Sequence, residues 1–377
     1  MRSDAHTRVT LPREPISPTA RVSLIVPVRN EERYIEQFLA GLCAQDYPAE
    51  RLEVILADGQ SSDRTLALAA GFRHRLTQLR VVDNPARAKA PALNMCIPLT
   101  TGEVILVMDC HTQYPSNYVS GLVNHLRETN ADYVGGRVET QPGADTLVAE
   151  AIALALSHPF GVGAGTYRTS QGTGEGMAPF GCYRRQLPLV IGGYNERLPR
   201  THDDEFFARI MRHGGVCLVC GDICSRYFTR PTLRSLCAQM FGNGSNHIAT
   251  LMELPGHFYA RHYVPFAFVT ALMIGALRWL CDPTHWMVLA MTALPYLVID
   301  LVSSFGIARR SRGSLFPVVL GLFPAMHISY GLGTWWGVFA YGLLRWHRRG
   351  RLKTGQELIS AGCRPPAVDG AGCGPAR

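Results

Sequence analysis

Three apolar blocks near the C-terminus, 263–280, 286–305 and 315–344, constrain this chain more than any other feature. A helix that crosses a bilayer needs about 20 predominantly apolar residues, and the first two blocks match that length. The soluble alternative is a buried core helix, and three such blocks in a row disfavour it, so this region is expected to be a transmembrane helical region. The third block is longer than one span needs and contains Pro317, Pro324, Gly331 and Gly333. The 281–285 turn has no Lys or Arg, the next loop carries Arg309, Arg310 and Arg312, and Arg345, Arg348, Arg349, Arg351 and Lys353 follow the third block. Basic loops favour the cytoplasmic side. Placing both basic stretches there with the N-terminal part requires the third block to be broken or re-entrant, and that is the expectation.

Ahead of residue 260 the pattern changes to short β-branched runs: 22–28 (VSLIVPV), 52–57 (LEVILA), 79–82 and 104–108 (VILVM). They are nearly continuous in hydrophobicity, as parallel strands buried on both faces are. Helical patterns over 31–44, 63–76 and 88–99 lie between them, with Ser62 or Asp63 as N-cap of the second. Strand–helix alternation gives an α/β domain with right-handed crossovers, and ligands bind such sheets at the carboxyl ends of the strands. The expected division is a flexible tail at 1–20, a catalytic domain at 21–255, the membrane region at 256–348 and a disordered tail at 349–377. The first 20 residues have no apolar core, so no signal peptide is expected and the domain should stay in the cytosol.

The net charge of +8 calls for anionic partners. Its basic residues gather beside the apolar blocks, which favours a membrane and phosphorylated ligands over nucleic acid. The chain has neither a GxGxxG after the first strand nor a GxxxxGK[ST], which argues against dinucleotide-binding and P-loop folds. Cys217-x-x-Cys220, with Cys224 and His213 nearby, reads as a buried strand rather than a zinc or redox site.

The candidate chemistry lies at the strand ends. These carry Pro27-Val28-Arg29-Asn30-Glu31, then Asp58 through Thr65, then Lys89 to Asn94, then Asp109-Cys110-His111. A single strand-end carboxylate is usually a turn residue, but several on one rim mark the ligand side of this architecture. Asp109 and His111, two apart, can face one divalent cation, Mn²⁺ or Mg²⁺. Further on stand Phe180-Gly181-Cys182-Tyr183-Arg184-Arg185, Gly192 to Glu196, and Asp203-Asp204-Glu205 with Arg209.

In order and spacing these motifs, over roughly 22–246, resemble the inverting glycosyltransferases of family 2. The Asp-x-His form, the 179–185 stretch and the apolar blocks look most like the ExoA-type succinoglycan glucosyltransferases. The resemblance implies a GT-A fold, Rossmann-like with a mostly parallel sheet. It also implies that Pro27, Arg29 and Glu31 line the nucleoside pocket of a UDP-sugar, Asp58 reads the uracil, Lys89 faces the diphosphate, Asp109 lies by the ribose and donor sugar, and His111 sits at the metal. Asp203 is then the general base, with Arg209 six residues on; Asp204 is the alternate and Glu205 stays open. Arg230 and Gln239 match a segment near the diphosphate and the membrane, and Phe180 and Gly181 belong to the diphosphate and acceptor region. Two departures stand out: His111 replaces a second Asp, and His202 precedes Asp203 where relatives carry Glu.

The function implied is transfer of a sugar, glucose by resemblance, from a UDP-sugar to a lipid-linked oligosaccharide in exopolysaccharide biosynthesis at a bacterial inner membrane. A polyprenyl-phosphate sugar transferase is the nearest alternative. A non-catalytic membrane scaffold is the alternative of another class, and intact Lys89, Asp109 and Asp203 weigh against it. A processive synthase is disfavoured by the missing QxxRW signature.

Overall fold

The computed structural model describes residues 9–169, 171–254 and 260–343. The basic cluster at 345–353 and the C-terminal tail lie outside these residues. The sheet is built from β1 (Val22–Val28), β2 (Leu52–Asp58), β3 (Leu79–Asp83), β4 (Val104–Val107), β5 (Thr112–Gln113), β6 (Tyr133–Gln141), β7 (Gly174–Glu175), β8 (Cys182–Arg184) and β9 (Cys217–Phe228). Their order is β3-β2-β1-β4-β8-β6-β9-β5, with β7 on β9. The first four are parallel, as the alternation predicts; β8 then runs antiparallel to β4 and β6, so the sheet is mixed beyond β4.

Both faces of the sheet are covered, which explains the unbroken hydrophobicity of its strands. Leu24, Val26 and Val28 of β1 point into a core shared with α1 (Ile35–Cys43) and α4 (Tyr118–Thr129). Ile25 points the other way, towards α3 (Lys89–Cys96) and α8 (His202–Arg212). The helix expected at 63–76 is shorter, α2 (Thr65–Ala70). Asp63 acts at its start, where its carboxylate accepts from Thr65 N at 3.0 Å. The loose-tail reading does not hold for residues 9–20. Leu11, Ile16 and Ala20 are buried there, and Arg184 Nε donates to Glu14 O at 2.9 Å.

α5 (Leu147–Leu156), the short α6 (Pro159–Val162), α7 (Leu187–Ile191) and the 21-residue α9 (Leu233–Glu253) complete the domain. The apolar blocks form α10 (Val264–Cys281), α11 (Trp286–Arg310) and α12 (Phe316–Gly337). With their flanking turns they give three helices, of 18, 28 and 29 residues, long and apolar enough to cross a membrane. Their outer faces expose side chains that water would not favour: Met291 is 77% exposed, Leu280 73% and Val302 66%.

The expected break in the third block is absent. α12 runs through Pro324 and continues as a π-helical segment, Val338–Leu343. Pro317 sits in its first turn, where a missing N–H costs nothing. Gly331, Gly333 and Gly337 serve contact rather than bending. A Cβ on Gly333 would lie 2.1 Å from the Phe241 carbonyl oxygen, and one on Gly337 would lie 2.7 Å from that of Ser245. The two helices, α9 and α12, therefore meet backbone to backbone, in the manner of small-residue helix interfaces. The loop between α11 and α12 returns to the domain, where Arg312 pairs with Glu150 of α5.

Candidate active site

The rim at the carboxyl ends of β1 to β4 gathers most of the residues singled out in the sequence. Asp58 ends β2, buried, with its carboxylate accepting from Ser61 N at 3.2 Å and Ser61 Oγ at 2.6 Å. Pro27 is half-buried in β1. Arg29 is exposed, and its stem lies over Gly59, where a Cβ would meet it at 3.2 Å. Glu31 N donates to Thr65 Oγ1 at 2.8 Å, tying the first loop to the second.

Lys89 opens α3 and pairs with Asp109 Oδ1 at 2.9 Å. Burial alone would lower the Lys89 ammonium, but Asp109 and then Asp203 outweigh it and hold it above its usual value. Lys89 Nζ also stands 5.8 Å from the Phe180 ring centroid. Phe180 adopts φ +58°, a strained conformation for a bulky residue, and Tyr118 Oη donates to its carbonyl at 2.6 Å. Gly181 is required beside it, because a Cβ there would lie 2.4 Å from Tyr133 Oη. Asn30, Gln60, Arg87 and Thr201 also have positive φ (53° to 58°). Four of these five follow a strand of the rim or precede β8, and the fifth precedes α8; a sixth, Asn130 (φ +54°), caps α4. Most of the positive-φ positions among the described residues thus lie where ligands meet this fold.

His111 follows β4, with Nδ1 3.5 Å from Glu31 Oε1 and its ring edge-on to Tyr34 and Tyr227. The Glu31 carboxylate raises its pKa against the effect of burial. A small cavity of about 280 Å³ opens on His111. Asp109, His111 and Glu31 offer a partial oxygen and nitrogen ligand set. Mg²⁺ and Mn²⁺ suit such sets, since they complete their shell with water and substrate phosphate, so the residues fit a divalent cation. Among the described residues, the set of three His, Cys or carboxylate ligand atoms within 4.8 Å is His125, Cys220 and Asp222, away from this rim. Cys217 and Cys220 are buried in β9, as the strand reading expects.

The acidic triplet divides. Glu205 is bound to Arg209 at 2.7 and 2.9 Å, and Arg209 also donates to the carbonyls of Ile191, Gly192 and Gly193. This pair fixes α8 to the preceding loop and leaves Glu205 no free face. Asn94 grips the same loop by exchanging bonds with Tyr194 N and O at 2.7 and 2.8 Å. Asp203 Oδ1 lies 2.5 Å from His202 Nε2, without hydrogen-bond alignment. Burial alone would raise Asp203, but His202 and Lys89 hold it well below the usual carboxylate range. Asp204 is pushed up to about 7 by burial and then by the Asp203 charge.

Asp203 and Asp204 open into a cavity of about 820 Å³, which reaches from the domain to α10, α11 and α12. Gln239 lines it, whereas Arg230 is exposed in the loop before α9 and is not among its lining residues. Arg168, Arg261, His247 and His262 also line it, and no motif in the sequence singled them out. The glycine-rich 161–165 stretch was the available signal for Arg168. Arg168 stacks over Tyr167 and Tyr227 at 5.3 and 5.2 Å, and its Nη1 is buried with no hydrogen-bond partner among the described residues.

The profile of the family described as Glycosyl transferase family 2 matches residues 23–186. A dolichyl N-acetyl-alpha-D-glucosaminyl phosphate 3-beta-D-2,3-diacetamido-2,3-dideoxy-beta-D-glucuronosyltransferase of Methanococcus voltae is 22% identical over 82% of this chain and 95% of its own length. Succinoglycan biosynthesis protein ExoA of Rhizobium meliloti is 26% identical over 83% and 93%. The mannosyltransferase PcManGT from Pyrobaculum calidifontis, solved with GDP-Man and Mn²⁺, superposes with a TM-score of 0.54 at 20% identity, covering 87% of this chain and 90% of its own. That likeness identifies the domain as GT-A-like.

Proposed function

Starting from a chain that is a glycosyltransferase with a family 2 domain, we propose that it is a membrane-anchored inverting enzyme that moves a hexose, glucose in our reading, from a UDP-sugar to a lipid-linked saccharide. The observation that carries this is the position of the acidic pair. Asp203 and Asp204 stand where the rim with Lys89 and Asp109 meets a cavity walled by helices apolar enough to cross a membrane. A soluble acceptor would not need that wall. The relatives named for a dolichyl phosphate acceptor and for succinoglycan biosynthesis align over nearly their whole length, which supports the same acceptor class here.

In this reading Pro27, Arg29 and Glu31 hold the nucleoside, and Asp58 accepts from the uracil N–H. Lys89 turns from Asp109 to the diphosphate when donor binds, and Asp109 is then free to face the ribose and donor sugar. Asp109 and His111 would hold Mn²⁺ or Mg²⁺, which when bound supplies positive charge to the leaving diphosphate. Arg168, stacked on Tyr227 and with no partner for its Nη1 among the described residues, would donate to the same anion. Asp203 takes the proton of the acceptor hydroxyl as its oxygen attacks the anomeric carbon and the nucleotide departs from the opposite face. Keeping Asp203 ionised is the work of His202 and Lys89. No covalent enzyme intermediate is required.

The catalytic domain and the 309–312 loop are assigned to the cytoplasmic side of a bacterial inner membrane, in a multi-pass arrangement. The test is product analysis with purified protein in detergent, a panel of UDP- and GDP-sugars and a membrane lipid extract. Transfer to a lipid fraction from a UDP-sugar is the expected result. Transfer to bare polyprenyl phosphate would select the alternative acceptor, and no transfer from any donor would refute the reading.

A further inference from the structure

The large cavity changes character along its length. Asp203 and Asp204 line one end, and Phe268, Ile299 and Met326, from α10, α11 and α12, line the other. At the join sit Arg261 and His262, in the turn before α10, together with His247 of α9 and Tyr330 of α12. His247 Nε2 and His262 Nδ1 are 2.6 Å apart, and Tyr330 Oη is 3.3 Å from His262 Nδ1. The Arg261 stem lies against the backbone of Gly163, φ +86°, where a Cβ would come within 2.8 Å of its Cδ. The glycine makes room for the Arg261 stem.

The two acids have a cation on each side. The charge of Lys89 acts on Asp203, and that of Arg261 acts on Asp204. Lys89 belongs to the donor rim, so Arg261 marks a second anion position, on the membrane side of the acids. Burial, then His262 and Arg261, pushes His247 down to about 3, and burial with Arg261 pushes His262 down to about 4, so both rings are neutral hydrogen-bonding groups there. A phosphate in such a cavity needs a cation, and guanidinium meets it with paired N–H donors. An apolar wall directly beyond the cation matches a phosphate esterified to a hydrocarbon chain.

Resting on the transferase reading above, we infer that this end of the cavity seats a single-chain lipid phosphate of the acceptor. Arg261 holds the phosphate, and the first units of the chain lie among Phe268, Ile299 and Met326. The saccharide beyond the phosphate then reaches back to Asp203.

The probes are farnesyl phosphate, farnesol, inorganic phosphate and UDP, each titrated calorimetrically into the full chain in detergent. Farnesyl phosphate should bind at least about 10-fold more tightly than farnesol or inorganic phosphate. Arg261→Ala should weaken farnesyl phosphate by about 10- to 100-fold, as loss of a charge-assisted contact does, and leave UDP affinity within about twofold. Arg261→Lys should fall between. Ile299→Trp, which fills the apolar end, should weaken farnesyl phosphate but not inorganic phosphate. Equal binding of farnesol and farnesyl phosphate would overturn the inference, as would full farnesyl phosphate affinity in an Arg261→Ala protein that still binds UDP. Inorganic phosphate binding as tightly as farnesyl phosphate would reduce the site to a free-anion site and refute the lipid part. Should Arg261→Ala also lose UDP, the Arg261→Lys and Ile299→Trp arms decide in the same way. Wild type that binds farnesyl phosphate but not UDP would count against the transferase reading and leave this inference standing.

Discussion

Replacing Asp203 by Asn tests the centre of the chemistry. The amide conserves shape but has no carboxylate to take a proton. Loss of a positioned general base costs about 10²–10⁴-fold in rate, which is about 3–5 kcal/mol of transition-state stabilisation. The structure adds a pH criterion that separates the two neighbours. Asp203 is held below the usual carboxylate range by His202 and Lys89, so as the base it is ionised throughout pH 5–8. Asp204, pushed up to about 7, is mostly protonated below that pH. With Asp203 as base, turnover should show no acid limb near 7. With Asp204 as base, it should fall about tenfold for each pH unit below 7. The assay is initial rate on a lipid-linked acceptor from pH 5 to 8 for wild type, Asp203→Asn and Asp204→Asn, with UDP affinity measured on the same preparations. Asp203→Asn should lose turnover and keep UDP affinity, and Asp204→Asn should be milder. A wild-type acid limb near 7 that vanishes with Asp204→Asn, together with an active Asp203→Asn, would move the base by one residue and refute the assignment.

Chelation by EDTA should stop turnover and added Mn²⁺ or Mg²⁺ should restore it. His111→Ala should raise the metal concentration needed more than it changes UDP binding, and His111→Asp should retain part of the activity. Alkaline carbonate and high salt should leave the protein in the membrane pellet, because the outer faces of α10 and α11 are apolar. With α12 continuous, a C-terminal tag should report the side opposite to a tag in the 309–312 loop, and the same side would restore a broken third block. Gly333→Val should drive α9 from α12, since its Cβ would lie 2.1 Å from the Phe241 carbonyl. The expected cost is at least the 1–3 kcal/mol of ordinary overpacking, read as a lower melting temperature in detergent.

The sequence alone determined the parallel half of the sheet, the first two apolar helices and the placing of Asp58, Lys89, Asp109 and His111 on one rim. Each is a local property: a run of residues that can be buried, or a polar residue just past a strand whose direction is already known. The family resemblance also pointed to Asp203, through the family's spacing to Arg209, and its role as base is the proposal that the Asp203→Asn variant tests. The sequence did not reveal that Arg209 belongs to Glu205 and the Ile191–Gly193 carbonyls, because that pairing depends on where α8 lands against a loop. The same limit explains the third block. Pro324, Gly331 and Gly333 suggest a break when read along the chain, and only the fit of α12 on its neighbours turns those glycines into close contacts, Gly331 with Pro265 and Val269 of α10 and Gly333 with Phe241 of α9. The cavity was decided by tertiary structure for the same reason. Arg168, Arg261, His247 and Met326 are far apart in sequence and have no common pattern. They line one space because the domain and the apolar helices pack across it, and packing of distant segments is fixed by shape and burial rather than by local order.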